Sequence, residues 1–313
     1  MNNKFKKMLG IVLSLILLTA GCARTGTKTE SAEDSLNVVA TTTMLADLAG
    51  AIGGEHVRVN GLMGPGIDPH LYQASAGDVE RMQKADIVVY NGLHLEGKMS
   101  ELFENLSDQD IFTVCIEKSI DRTGLLISED DGGAYDPHIW FDVTLWKQAA
   151  QGVAEGFAYA DPANADSYIA NLEQYLNELD ELNAYIQKRA AELPKEQRVL
   201  ITAHDAFQYF GNAYGFEVRG LQGISTDAEA GTGDVSALAS FIVERRIKAV
   251  FVESSVPPKT IEALQAAVKA QGFDVAIGGE LYSDSLGGEG SGDETYVQTF
   301  RSNINTIVDA LKS

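Results

Sequence analysis

Apolar residues in this chain recur in two rhythms that alternate from residue 36 onward. The runs Leu36–Ala40, Val57–Leu62, Ile87–Tyr90 and Phe112–Ile116 are short, rich in branched or aromatic residues and bounded by polar or glycine positions. They read as strands. Strands apolar on both faces belong to mainly parallel sheets covered by helices. Between them apolar residues fall three or four apart. Met44 to Ile52 predicts a helix closed by Gly53-Gly54, and Gly77 to Ala85 a second. Asp142 is placed to cap a third, which carries Leu145, Trp146, Ala149, Val153 and Phe157 on one face.

The pattern then changes scale. Asp161-Pro162 reads as a cap followed by proline at the first helical position, and neither glycine nor proline interrupts the chain from Ala163 to Ala191. Ile169, Leu172, Leu176, Leu179, Leu182 and Ile186 keep the helical spacing. That predicts one helix of about 30 residues, about 45 Å long, ended by Pro194.

A second alternating series follows. Arg198–Ala203, Phe216–Leu221, Ala249–Val252 and Asp274–Ile277 read as strands, and Asp205–Tyr214, Gly233–Ile247 and Pro258–Ala270 as helices. Ser291 and Glu294 have the spacing of a capping box for a last helix that buries Val297, Phe300, Ile304, Val308 and Leu311. The expected fold class is α/β: two βα lobes with mainly parallel sheets, 36–160 and 194–313, joined by one long rigid helix at 161–193.

The first residues follow different rules. Lys4, Lys6 and Lys7 precede the apolar stretch Met8–Leu18, and Thr19-Ala20-Gly21 supplies small residues before Cys22. Residues 1–21 therefore read as a secretory signal peptide, with an apolar core too short to span a bilayer stably. Small residues before a cysteine resemble the bacterial lipobox, although Thr19 stands where that box most often has leucine. The resemblance implies that Cys22 is lipidated and that the mature chain is anchored on the extracytoplasmic face of the cell membrane. Residues 22–35 then form a flexible tether rich in Ser, Thr, Glu and Asp. With Cys22 lipidated, Cys115 is the remaining cysteine, so no disulfide can form within the chain. Its apolar neighbours mark Cys115 as a small buried hydrophobe.

Charge narrows the partners. The formal net charge is −21, and removing the three leader lysines leaves 21 basic against 45 acidic residues, or −24. Such a surface disfavours nucleic acid and anionic lipid, and modestly favours encounter with cations. The chain is expected to act as a monomer.

The chemistry rests on histidine. The chain has only five, and two of them close identical tripeptides, Asp68-Pro69-His70 and Asp136-Pro137-His138. A third, His204, follows an apolar strand and precedes Asp205. Imidazole is the commonest transition-metal ligand, and its second ring nitrogen needs an oriented acceptor, so a carboxylate beside each histidine has a purpose. In open α/β sheets ligands bind beyond the carboxyl ends of strands. His204 and Asp284 follow strands of the second lobe, while His70 and His138 lie in loops of the first. Three neutral imidazoles and one carboxylate, meeting between the lobes, make a plausible site for one divalent metal. His56 reads instead as a solvated turn residue. His94, which follows a strand end, is open to either role.

Several segments carry a family resemblance: Asn91-Gly92-Leu93-His94-Leu95-Glu96-Gly97, Asp136-Pro137-His138-Ile139-Trp140, Ala203-His204-Asp205-Ala206-Phe207, Gly220-Leu221-Gln222-Gly223-Ile224-Ser225-Thr226 and Gly278-Gly279-Glu280-Leu281-Tyr282-Ser283-Asp284. Together they resemble the metal-binding lipoproteins that act as solute-binding proteins of bacterial ABC importers, the TroA-like zinc and manganese family. The resemblance covers nearly all of the mature chain. It implies metal ligands at His70, His138, His204 and Asp284, a transported Zn2+ or Mn2+, an ABC permease as partner, and no catalysis. Manganese-devoted members usually carry glutamate where this chain has His204. Zinc-devoted members often carry a long acidic loop rich in histidine, and the acidic loop before Asp136 has none. Three nitrogen donors and the Irving–Williams order favour zinc, whereas metal availability could favour manganese.

The mechanism expected is capture and delivery. Affinity should fall below about pH 6, because bound histidines must be neutral. Residues 278–292 hold six glycines, which predicts a loose loop and Asp284 as the first ligand to detach. The alternatives are a zinc-dependent hydrolase and a surface adhesin with a structural metal. Against the hydrolase, no His-Glu-x-x-His helix occurs, and catalytic zinc usually keeps an open position.

Overall fold

Alternate residues of the first strands belong to different hydrophobic clusters. Val38, Ala40, Ile87 and Val89 pack into one, Val39 and Val88 into another. This is the pleat of a sheet covered on both sides. A computed structural model describes residues 35–109, 111–128 and 133–312, so the leader, Cys22 and the tether lie outside the described residues. β1 (Leu36–Ala40), α1 (Thr43–Gly53), β2 (Val57–Gly61), α2 (Ala76–Gln83), β3 (Ile87–Tyr90), α3 (Ser100–Asp108) and β4 (Phe112–Cys115) form the first lobe. All pairings are parallel in the order β2-β1-β3-β4. The winding reverses between β1 and β3, the place where such sheets open a crevice. The Thr42 hydroxyl caps α1 by accepting from Leu45 N, and Ser75 with Asp78 forms a capping box on α2.

α4 (Val143–Ala160) starts at Asp142, whose side chain accepts from Thr144 N as expected. α5 (Ala165–Ala190) has 26 residues, hence about 39 Å. It is shorter than the sequence predicts because Pro162–Asn164 forms a separate tight 3₁₀ turn. The buried stripe of α5 is also rotated from the expected one. Tyr168, Tyr175, Leu179, Leu182, Ile186 and Ala190 are buried, while Ile169 is half exposed. Tyr168 and Tyr175 win the inner face because each hydroxyl finds a partner there, Asp161 Oδ2 at 2.8 Å and the Trp146 indole N–H at 3.1 Å.

The second lobe contains β5 (Val199–Thr202), α6 (Gln208–Tyr214), β6 (Glu217–Gly220), α7 (Thr232–Arg245), β7 (Ala249–Glu253), α8 (Lys259–Ala270), β8 (Ala276–Leu281) and α9 (Tyr296–Lys312). β5 pairs with β6 and β7 with β8, both parallel, and β5 lies alongside β7. Ser291 and Glu294 do not cap the last helix. Glu294 accepts from Gly290 N and Gly292 N within its own loop, and α9 starts one residue after Thr295. The box is Thr295 with Gln298: Gln298 N donates to Thr295 Oγ1, and Thr295 N donates to Gln298 Oε1.

One hydrophobic core runs through both lobes, and aromatic rings form its seam. Phe141 of the first lobe lies 4.2 Å from Phe207 and 5.3 Å from Phe300 of the second, centroid to centroid. Trp146 stacks on Tyr296 at 5.0 Å, and Tyr296 donates its hydroxyl to Trp140 O at 2.7 Å. The two lobes and α5 therefore pack as one unit.

Candidate metal centre

Asp-Pro-His makes the same local structure twice. Proline fixes its own φ, which turns the chain so that the aspartate can accept from the backbone two residues on. Asp68 Oδ1 accepts from His70 N at 2.9 Å, and Asp136 Oδ1 accepts from His138 N at 2.9 Å. Asp136 goes further, with Oδ1 also 2.7 Å from His138 Nδ1. That bond holds the proton on Nδ1 and leaves Nε2 as the free lone pair.

His138 is buttressed from behind. Asn91 Nδ2 donates to Pro137 O at 3.1 Å. Asn91 is itself held by Glu96, a buried carboxylate that accepts from Asn91 N, Gly92 N and the Thr41 hydroxyl. Burial pushes the Glu96 carboxyl up, against these hydrogen bonds. The turn between them passes through positive φ at Gly92, Leu93 and His94. Such conformations cost non-glycine residues energy and survive where surroundings enforce them. Here Leu93 N donates to Glu117 Oε2 at 2.9 Å.

His204 sits two residues past β5 and Asp284 three past β8. Gly220 at the end of β6 lets the His204 backbone come close, since a Cβ there would lie 2.5 Å from Asp205 N and 2.7 Å from His204 C. The carboxylate that orients His204 is not Asp205, as adjacency predicts, but Glu253 at the end of β7. Glu253 Oε1 accepts from His204 N at 2.9 Å and Oε2 lies 2.6 Å from Nδ1. Asp205 instead accepts from Gln208 Nε2, and burial raises its carboxyl to about 6.

The four predicted donors come together. His138 Nε2 lies 3.2 Å from His70 Nε2 and 3.4 Å from His204 Nε2. Asp284 Oδ1 is 3.5 Å from His138 Nε2, and Oδ2 is 3.4 Å from His204 Nε2. All four donor atoms fall within 4.8 Å of one another, on residues that are all buried. Donors about 2.0–2.1 Å from a tetrahedral ion stand about 3.3–3.5 Å apart, close to these four distances, so little movement would bring the set around one cation. His56 and His94 do not join the cluster. The His56 ring meets Tyr168 edge-on at 5.9 Å, and His94 is exposed on a surface cavity with Tyr90, Cys115 and Glu117. Cys115 is buried, as expected, and burial raises its thiol.

Electrostatics favour a cation too. Burial lowers the His70 imidazole to about 3, so it offers a neutral nitrogen at any physiological pH. Burial would also lower His204, but Glu253 and Asp284 outweigh it and hold that ring well above the usual histidine value. Burial opposes ionisation of Asp284, yet the rings of His204, His138 and His70 bring its carboxyl below the usual range. Asp284 Oδ2 accepts from the Ser255 hydroxyl at 3.1 Å. Its Oδ1 is buried with no hydrogen-bond partner among the described residues, as is Asp136 Oδ2. A buried carboxylate oxygen left unpaired is costly, and a positive ion at the centre of the cluster would offset that cost. The residues around Asp284 are more firmly held than their glycine content predicts. Ser283 O accepts from the Trp140 indole at 2.9 Å, Ser285 Oγ from Gly66 N at 2.9 Å, and Leu286 N donates to Thr43 Oγ1 at 2.8 Å.

The chain as a whole matches a known protein family. The model of the ZnuA family, "zinc-uptake complex component A periplasmic", matches residues 38–310. This chain belongs to the ZnuA family. The manganese-binding lipoprotein MntA of Bacillus subtilis is 45% identical over 305 residues, covering 97% of this chain and 99% of MntA. The zinc-binding protein TroA of Treponema pallidum is 45% identical over 306 residues, covering 98% of each chain. The solved structure of periplasmic TroA superposes with a TM-score of 0.86 at 47% identity, covering 88% of this chain and 99% of TroA. The α/β fold, with parallel sheets and one long helix, is thus the fold of a ZnuA-family relative.

Sequence reasoning missed two residues at the centre. Glu253 could have been found as a carboxylate ending the apolar strand Ala249–Val252, at the sheet edge where ligands gather. Ser255, two residues later, carries no comparable signal.

Proposed function

We propose that this chain captures a divalent transition metal outside the cytoplasmic membrane and delivers it to the permease of an ABC importer. The observation that carries the reading is the convergence of His70, His138, His204 and Asp284, with Asp284 Oδ1 buried and given no hydrogen bond among the described residues. Membership of a metal-uptake family supports it, as do relatives named as metal-binding lipoproteins. The metal is cargo, so the site must both hold and yield it. The lipoprotein relative also supports attachment through Cys22, which would keep the chain near its permease.

The bound ion is zinc or manganese. The names of the two relatives divide between these metals. Three imidazole nitrogens favour Zn2+ at equal concentration. With all four positions supplied by the protein, no coordination site is left for a hydrolytic water, which disfavours an enzyme.

Elemental analysis of the purified chain, followed by zinc–manganese competition calorimetry, tests this. One metal per chain is expected, with zinc displacing manganese. Alanine at any one of the four donors should weaken binding at least about tenfold. Retention of full affinity by all four variants would sink the reading.

A further inference from the structure

The three histidines are braced differently. His138 and His204 each give both backbone N–H and ring Nδ1 to one carboxylate of their own lobe. His70 lies on the loop 62–75, which has no regular structure, and gives only its backbone N–H to Asp68 Oδ1. The other oxygen of that carboxylate reaches across the cleft: Thr226 of the second lobe donates its hydroxyl to Asp68 Oδ2 at 2.5 Å. The same loop is met a second time from the second lobe, where Ser285 Oγ accepts from Gly66 N. The ligand that belongs to the first lobe by chain order is thus held in place by the second.

We propose that Thr226 is a positioning residue for the metal, which through Asp68 sets His70 against the other donors and thereby sets the rate of metal release. This rests on the four-donor reading above. Thr226, rather than its neighbour Asp227, carries the effect. Asp227 also crosses the cleft, to Lys98 Nζ at 2.8 Å, but those side chains are 55% and 34% exposed. A solvated ion pair contributes little. Thr226 is buried, and its partner Asp68 is partly buried. A hydrogen bond to a charged acceptor away from water is the stronger of the two. When the lobes shift apart, Asp68 loses its outer partner and His70 loses its brace, while His138 and His204 keep theirs.

The experiment uses the purified full chain loaded with Zn2+, with release followed by stopped-flow capture in excess chelator. Thr226→Val, which keeps the shape and removes the hydroxyl, should speed release at least about tenfold. Association rate should stay within about twofold of wild type, and the metal-free melting temperature should fall by no more than about 5 °C, which the loss of one such hydrogen bond explains. Thr226→Ser should restore slow release, and Asp227→Asn should change it less than about twofold. Wild-type release from Thr226→Val, or failure of serine to rescue it, overturns the proposal. So does a parallel change in association and metal-free melting, which would mark a general packing defect. His70→Ala separates the two levels. If it loses zinc while Thr226→Val releases normally, only the role of Thr226 falls; if it binds as wild type, the four-donor reading falls with it.

Discussion

Glu253 and His204 are joined twice, carboxylate to backbone N–H at 2.9 Å and carboxylate to ring Nδ1 at 2.6 Å. The pair fixes both the position of the residue and the tautomer of its ring, so that Nε2 faces the other donors. Glu253→Gln keeps the shape but replaces one acceptor by an amide N–H, which cannot serve both bonds. We expect zinc affinity to fall 10- to 100-fold, about 1.4–2.8 kcal/mol. Isothermal titration of the purified variant checks this, and unchanged affinity would assign Glu253 a purely structural part.

Gly220 tests the backbone beneath the same ligand. Alanine there would push a methyl group to 2.5 Å from Asp205 N, whereas a Cβ at Gly223 meets nothing within 4 Å. Gly220→Ala should cost about 1–3 kcal/mol of stability and lower metal affinity, because the His204 segment must move. Gly223→Ala is the control and should leave both unchanged. Chemical denaturation and calorimetry read the two effects separately.

Asp47 predicts a pH dependence remote from the cluster. Its carboxylate accepts from Tyr296 N at the start of α9, yet burial raises its pKa from 3.8 to about 6, with Glu178 adding to the rise. A carboxyl raised on folding destabilises once pH exceeds the unfolded value, and the penalty is complete above the folded value. Asp47→Asn should therefore stabilise the chain at pH 7–8 by on the order of 1–2 kcal/mol, with the gain shrinking toward pH 4. Melting curves across that range decide it. A gain that does not vary with pH would exclude ionisation as its cause.

Metal binding should report on stability directly. A ligand at a thousand times its dissociation constant adds about 4 kcal/mol to folding, roughly 8 °C for a chain of this size. Zinc should raise the melting temperature by that order, and a chelator should reverse it. The His204→Ala variant should lose most of the shift.

Much of this arrangement was legible before any coordinates. The parallel strands followed from runs such as Ile87-Val88-Val89, apolar at every position, and the meeting of His70, His138, His204 and Asp284 from the repeated Asp-Pro-His and from His204 and Asp284 placed beyond strand ends. What stayed hidden was decided by contacts between distant segments. Adjacency favoured Asp205 as the partner of His204, but β7 lies beside β5 and delivers Glu253 instead. On α5, spacing alone could not tell Ile169 from Tyr168, and the choice was made by Asp161 accepting the tyrosine hydroxyl. Ser291 and Glu294 had the right spacing for a cap but were used within a glycine loop, leaving the task to Thr295.

The rings of Phe141, Phe207 and Phe300 bear on how far such a carrier can travel when it unloads. A wide jaw-like swing would have to tear these faces apart and wet them, at several kilocalories per mole for each large ring. A stroke that leaves them in touch costs far less. A small slippage at the rim, with the greasy fulcrum intact, is therefore the cheaper way to open the metal site.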